Sequence, residues 1–236
     1  MTDLRASDES KRAAGSAAAA LVEDGMRLGL GTGSTVRWFL EALAERRLHV
    51  AGVPTSKDTA DRCRTLGIEL LDPVSVVHLD LAVDGADEFD AELTATKGGG
   101  GALLREKVVA SMAERFVLIA TPDKAVDRLG DTFPLPIEVV PFALGLVMHT
   151  LRERGVRPTE RRRADGSPYR TDNGNAIVDA HYPAGIEDPA LVEVGLSLIP
   201  GVVANGLFVE LATLAVLGHA DGHVEHRVPA TPNDPS

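Results

Sequence analysis

Apolar positions along this chain come in short runs separated by stretches of helical periodicity. Residues 9–24 (ESKRAAGSAAAALVED) are alanine-rich and predict a helix. Met26–Leu30 predicts a short strand, GLGTGST a glycine-rich turn, and a helix follows from about Val36. HVAGVP predicts a second strand, and KDTADRCRTLG a charged helix. In VHLDLAV, Leu79, Leu81 and Val83 alternate as in a half-buried third strand. ALLREKVVASMAERF reads as a helix whose apolar stripe is Leu104, Val108, Met112 and Phe116, widened by Val109. Glu106 lies roughly 200° from Leu104, off that stripe and near the helix start, and points towards whatever the glycine run approaches. FVLIA, Phe116–Ala120, predicts a fourth strand. Strands alternating with helices predict a parallel sheet covered by helices on both faces.

Near residue 131 the texture changes. DTFPLPIEVVP places three prolines between Pro134 and Pro141, which marks a junction followed by an edge-like strand. FALGLVMHTLRER predicts a helix. SPYRTDNGNAIVDAHY predicts two β-runs about the turn Asp172-Asn173-Gly174-Asn175, since Asn-Gly is a strong hairpin signal. DPALVEVGLSLI then reads as helix and PGVVANGLFVELA as strand. The order β-α-β-β-α-β is that of a ferredoxin-like α+β unit. The polar tail is expected to fray after about Val228.

Composition narrows the function classes. With 44% hydrophobic and 25% charged residues over 236 positions, the chain is an ordinary globular protein with a real core. A net charge of −11 argues against non-specific nucleic-acid binding. It leaves room for a locally positive site that takes a phosphorylated substrate. One cysteine, Cys63, cannot form an internal disulfide and reads as a buried or half-buried structural thiol rather than a nucleophile. No apolar signal core opens the chain and no run reaches membrane-spanning length, so a cytoplasmic location is expected.

The densest chemistry lies in Asp84–Lys107, DGADEFDAELTATKGGGGALLREK. Two carboxylates follow a strand end; a lysine, four consecutive glycines and Glu106 follow. Taken singly, these are a turn, a solvated lysine and a glutamate complementing a helix dipole. Four glycines together make sense where backbone must come close to a ligand. A second signal is Gly31-Thr32-Gly33-Ser34-Thr35, a turn that presents N–H groups and a helix start to an anion. Its spacing is G-x-G-x-G, no G-K-S/T follows, and the second strand ends in Thr55 and Ser56 rather than an acid. A dinucleotide or P-loop site is therefore disfavoured. The four strand ends carry hydroxyls, hydroxyls with Lys57, carboxylates, and Lys124. In a parallel sheet ligands bind at these ends, and this set suits a polyhydroxylated, phosphorylated small molecule. His219, His223 and His226 do not make a metal site, because Asp221-Gly222 interrupts the helix that an i, i+4 pair requires.

The chain closely resembles the type A ribose-5-phosphate isomerases. The segments that carry the likeness are KRAAGSAAAALVEDGMRLGLGTGSTV, VPTSKDTA, LDLAVDGADEFD, KGGGGALLREKVVA, LPIEVVP, RTDNGNAIVD and IPGVVANGLF, in family order and across nearly the whole chain. The resemblance implies a Rossmann-like domain, residues 1–131 with 206–236, and an inserted ferredoxin-like α+β domain, residues 132–205. It implies a homodimer or dimer of dimers, no metal and no organic cofactor. It also implies roles. Glu106 is similar to the family's proton acceptor. Asp84, Gly85, Ala86 and Asp87 resemble the stretch that handles substrate hydroxyls. Lys97 with Gly98, Gly99 and Gly100 resembles the stretch that holds the sugar and its oxyanion. Thr32, Gly33, Ser34 and Thr35 resemble a second substrate loop, and Lys124 and Lys11 reach the site. The segment TERRRADGSPYR is less typical and is expected to shape the subunit surface more than the chemistry.

Chemistry agrees with the resemblance. An aldose–ketose conversion through an enediolate needs a base, a group for a hydroxyl proton and a cation for the oxyanion. Glu106, an aspartate and Lys97 provide these. The helix start and Lys97 lower the base's pKa, while a better base wants it raised; burial by bound substrate would offset the lowering. Two rivals use related folds. A sugar-phosphate sensor of a transcription regulator needs a DNA-binding unit, and neither end has a basic helix-turn-helix. A CoA-transferase-like enzyme also uses a glutamate, but the DGADE, KGGGG and REK set favours the isomerase.

Overall fold

The computed structural model describes residues 2–230. In chain order the elements are α1 (Thr2–Ala20), β1 (Arg27–Leu30), α2 (Ser34–Glu45), β2 (Ala51–Pro54), α3 (Lys57–Leu66), β3 (Glu69–Leu70) and β4 (Leu79–Gly85). Next come β5 (Glu88–Phe89), β6 (Ala95–Thr96), α4 (Leu103–Met112), β7 (Ala113–Ala120), β8 (Leu135–Val139), α5 (Leu144–Glu153) and β9 (Arg157–Glu160). The chain continues through β10 (Ala176–His181), α6 (Pro189–Ser197), β11 (Val202–Asn205), β12 (Leu207–Phe208), β13 (Leu214–Gly218) and β14 (Val224–Arg227). The fraying expected beyond Val228 concerns mainly residues 231–236, which lie outside the described residues.

The largest sheet runs β14-β13-β7-β4-β1-β2-β3 and is parallel except for the β13–β14 edge pair. This is a Rossmann-like winding: from β1 the chain moves outward through β2 to β3, then crosses back to β4 on the other side of β1. The carboxyl ends of β1 and β4 thus form a topological switch point, where such sheets bind ligands. A second, antiparallel sheet has the order β11-β8-β10-β9. With α5 and α6 it forms the ferredoxin-like unit. A three-stranded ribbon, β12-β6-β5, joins the two.

Both faces of the large sheet are covered. Leu28, Leu30, Leu81, Val83, Val117 and Ile119 pack with Ala14 and Ala18 of α1 and Phe39, Leu40 and Leu43 of α2. On the other face Ala82, Phe116, Leu118 and Leu217 pack with Val109 and Ala110 of α4 and with Phe208. The third strand expected to be half-buried, β4, is therefore buried on both faces, as a central parallel strand must be. Cys63 is fully buried, and burial pushes its thiol up to about 11.

Three expectations fail locally. The strand expected to be edge-like, β8, is central in its sheet, paired with β10 on one side and β11 on the other and buried along its length. The stripe assigned to the 102–116 helix is not its buried face: Leu103, Glu106, Val109 and Ala110 are buried, while Val108 is 46% exposed. The helix stops at Met112, and Phe116 belongs to β7, which starts at Ala113. The hairpin about Asn173-Gly174 also differs. The turn forms, with the Gly174 N–H donating to Thr171 O at 2.9 Å, and β10 follows it. The strand that precedes β10 in its hairpin is β9, however, paired Val178 to Glu160, while β8 flanks β10 on its other side. Residues 161–171 instead make a short excursion with a bridge between Arg162 and Pro168. Pro168 has no N–H to give a ladder. The Thr171 hydroxyl and the Asn173 and Asn175 amides all donate to Oε1 of fully buried Glu138.

Candidate active site

Lys97 leaves the end of β6 with its side chain almost fully buried. Its Nζ lies 3.0 Å from Asp84 Oδ2 and 3.4 Å from Glu106 Oε2, and donates to Gly85 O at 2.5 Å. The Phe208 ring centroid is 5.3 Å away on another side. Asp84 caps β4 and is held from both sides: its Oδ1 accepts the Thr32 N–H at 3.0 Å and the Gly85 N–H at 2.8 Å. This approach requires glycine at position 31, because a Cβ there would sit 2.3 Å from the Asp84 carboxyl carbon.

Glu106 lies in the first turn of α4 and is 5% exposed. Its place on the buried face is the source of its chemistry. Burial above all pushes its carboxyl up to about 8; Lys97 opposes the shift, and Asp84 and Asp87 add to it. The competition between helix start, lysine and burial is thus won by burial. Burial also works against the Lys97 ammonium, but Asp84, Glu106 and then Asp87 outweigh it and hold its pKa above the ordinary value. Asp87 is likewise raised by burial, against the Gly99 N–H and the charges of Lys97, Lys124 and Arg161.

The glycine run has several physical causes rather than one. Gly98 and Gly101 take φ of +104° and +83°. A Cβ on Gly99 would meet Asp87 Oδ1 at 2.5 Å, where the Gly99 N–H donates to Asp87 Oδ2 at 2.7 Å. Only Gly100 has no steric or conformational need of its own in the protein.

Across from this loop, Thr32–Thr35 form the turn into α2, with Gly33 at φ +122° as the residue before the helix. Behind it sits a hydroxyl cluster: Thr32 Oγ1 meets Thr55 Oγ1 at 2.7 Å, Ser56 Oγ at 2.9 Å and Thr59 Oγ1 at 3.1 Å, and the Thr59 hydroxyl donates to Gly31 O at 2.7 Å. The β2 end was expected to present hydroxyls and Lys57 to the ligand. Instead Thr55, Ser56 and Thr59 are buried and brace the β1 turn. Lys57 faces away, and its backbone N–H donates to Asp172 Oδ2 at 2.8 Å.

Thr32, Gly33, Ser34, Thr35, Gly85, Ala86, Asp87, Lys97, Gly98, Gly99, Gly100, Glu106, Lys124 and Lys11 all line one cavity of about 260 Å³. Asp84 stands just behind it, reached through Lys97. Ile119, Ala120 and Thr121, at the end of β7, line it as well. Sequence reasoning passed over Ile119 and Ala120 because they read as ordinary strand, and credited the end of that strand to Lys124 rather than to Thr121, although lying at a strand's carboxyl end was a usable signal. His219 and His223 face each other across the β13–β14 turn with ring centroids 5.3 Å apart. Among the described residues, no group of three or more His, Cys, Asp or Glu side chains is arranged to hold a metal ion.

A buried carboxylate beside a buried lysine, in a small cavity walled by glycine backbone and rimmed by two further lysines, suits proton transfer on a small anionic substrate. Residues 51–222 match the family described as Ribose 5-phosphate isomerase A (phosphoriboisomerase A). The chain is 48% identical over 235 residues to a ribose-5-phosphate isomerase A of Ruegeria sp. (strain TM1040), covering 95% of this chain and 89% of the relative. It is 50% identical over 214 residues to that of Roseiflexus sp. (strain RS-1), covering 89% and 91%. The fold superposes on ribose 5 phosphate isomerase A from Neisseria gonorrhoeae with a TM-score of 0.90 at 38% identity, over 95% of this chain and 98% of the other. It also superposes on a D-ribose-5-phosphate isomerase in complex with phospho-erythronic acid, with a TM-score of 0.89 at 36% identity over 92% and 97%. Sequence, fold and cavity agree, and the chain belongs to the ribose 5-phosphate isomerase A family.

Proposed function

We propose that this chain interconverts D-ribose 5-phosphate and D-ribulose 5-phosphate through an enediolate, as an aldose–ketose isomerase of the non-oxidative pentose phosphate pathway. One observation carries the reading: a buried glutamate whose pKa burial raises to about 8 shares a lysine with a second buried carboxylate at the floor of a small cavity.

Starting from the open-chain aldose, Glu106 takes the proton from C2 while the C1 carbonyl oxygen gains negative charge. Lys97 and the backbone of Gly98–Gly100 stabilise that charge. Glu106 returns its proton to C1, the C2 hydroxyl loses its proton, and O1 ends protonated. One proton has moved between carbons and one between oxygens, with no net gain or loss. Asp84 accepts from two backbone N–H groups and pairs with Lys97, so its part is to hold the lysine. Asp87 lines the cavity and accepts from Gly99 alone among the bonds described above, so it handles the hydroxyl proton and assists ring opening. The phosphate lies against the Thr32–Thr35 turn and the start of α2, with Lys124 and Lys11 as counter-charges. A relative that binds phospho-erythronic acid, a phosphorylated sugar acid, supports this substrate class.

The chain works as a homodimer or dimer of dimers in the cytoplasm. Support for assembly comes from large apolar side chains left exposed on the ferredoxin-like unit: Phe142 is 99% exposed, Leu191 of α6 69%, and Leu198, at the end of that helix, 76%. No helix among the described residues is long and apolar enough to cross a membrane. The direct test is incubation of purified protein with ribose 5-phosphate. Ribulose 5-phosphate should appear and approach the same equilibrium mixture from either side; no conversion would overturn the assignment.

A further inference from the structure

The excursion between β9 and β10 brings Arg161 and Tyr169 together. The Tyr169 N–H donates to Arg161 O at 3.0 Å, and the guanidinium carbon sits 5.8 Å from the phenol ring centroid. Neither side chain faces solvent freely, and both reach the glycine loop. Arg161 Nη1 donates to Gly98 O and to Gly99 O, each at 2.9 Å. The Tyr169 hydroxyl donates to Gly100 O at 3.1 Å. Arg161 is itself fixed by Asp179 of β10, through Nε to Oδ2 at 2.9 Å and a second contact from Nη2 to Oδ1. Three successive carbonyls of the loop are therefore taken by donors from the ferredoxin-like unit. Peptide planes pinned through their carbonyls have their N–H groups pinned too, and one of these, Gly99 N–H, holds Asp87.

We propose that Arg161, Tyr169 and Asp179 are positioning residues: a clasp from the ferredoxin-like unit that sets the peptide planes of Gly98–Gly100 for the developing oxyanion and for Asp87. This deepens the isomerase reading and rests on it for its kinetic consequence. The clasp acts through the loop, so its loss should lower kcat more than it raises KM, because a preorganised oxyanion site is felt most in the transition state. Arginine is specifically required. Its planar fork serves two carbonyls and a carboxylate at once, which a lysine ammonium on a flexible stem does not reproduce.

The experiment pairs steady-state kinetics with backbone hydrogen exchange on the full-length protein. In Arg161→Ala, kcat should fall about ten- to a hundredfold, the equivalent of losing one or two charge-assisted hydrogen bonds. Exchange in 98–103 should quicken while the large sheet keeps its protection. Millimolar guanidinium should restore part of the lost kcat, and Arg161→Lys should behave like the alanine variant. Tyr169→Phe, which removes one hydroxyl, should show a smaller change of the same kind. Normal kcat with unchanged loop exchange in folded Arg161→Ala would overturn the clasp. If that variant does not fold, wild-type kcat and exchange in Tyr169→Phe and Arg161→Lys would overturn it equally. Should the wild type fail to isomerise ribose 5-phosphate, the isomerase reading falls, and loop exchange still decides whether the clasp exists.

Discussion

The chemistry turns on one carboxyl, and its two environments make two measurable demands. Glu106 must be ionised to accept a proton, yet burial holds its pKa near 8. In the free protein kcat/KM should therefore rise with pH towards about 8 and level off beyond it, which a pH–rate profile reads. Glu106→Gln keeps size and hydrogen bonding but accepts no proton, so kcat should drop by about 10²–10⁴-fold with solvent deuterium scarcely entering C1. Folded variant turning over at the wild-type rate would move the base to Asp84 or Asp87. The same residue affects stability. Its pKa rises from 4.5 on folding, so the fold favours the protonated form; the associated stability is complete below 4.5 and is lost as pH rises through 8. Glu106→Gln should accordingly melt above the wild type at alkaline pH, with the gap closing below pH 4.5. A gap that does not change with pH would contradict the burial argument. At the other end of the cavity, Lys124→Ala and Ser34→Ala should chiefly raise KM, because they hold the substrate in ground and transition states alike. A collapse of kcat at unchanged KM would refute that division.

Helix α4 shows how one element serves several masters. Arg105 donates Nε to Asn173 Oδ1 at 2.8 Å, Glu106 faces the cavity, and Lys107 pairs with Glu193 of α6 at 3.0 Å. Successive residues about 100° apart on a helix can only do this if the helix is wedged between units. Lys107→Ala should cost about 1.5–3 kcal/mol of stability, read by denaturant unfolding, and leave kcat near normal; a large loss of kcat would mean that Glu106 relies on its neighbour. The same wedging explains why this helix misled the sequence reading. A glutamate on the buried face and a valine on the exposed one invert the usual pattern, so the apolar stripe pointed to Val108 rather than to Leu103 and Ala110. The alternation of strands and helices was legible because local hydrophobic period and turn chemistry specify it. The cavity-lining residues were largely legible too, since glycines, carboxylates and lysines at strand ends are local signals. What stayed hidden is made by long-range contact. The hydroxyls of Thr55 and Thr59 turn inward onto the Gly31-Thr32 turn, and Arg161 meets Gly98 from 63 residues away.

At the scale of the molecule, the exposed apolar side chains Phe142, Leu191 and Leu198 of the ferredoxin-like unit predict self-association. Sedimentation should give at least a dimer, and Leu198→Asp should shift the population towards monomer; a monomeric wild type would contradict this. The large sheet has a further consequence, for synthesis. The chain leaves it after β7, builds the ferredoxin-like unit, and returns only with β13 and β14. Until residues 214–227 emerge from the ribosome, β7 is an open edge carrying Val117, Leu118 and Ile119. Such an edge invites pairing with other nascent chains. The last strands made are thus the ones that shield the middle of the sheet, and completion of the large domain waits on the insert. A nascent chain stalled before β13 would be a client for chaperones even though its ferredoxin-like unit were already formed.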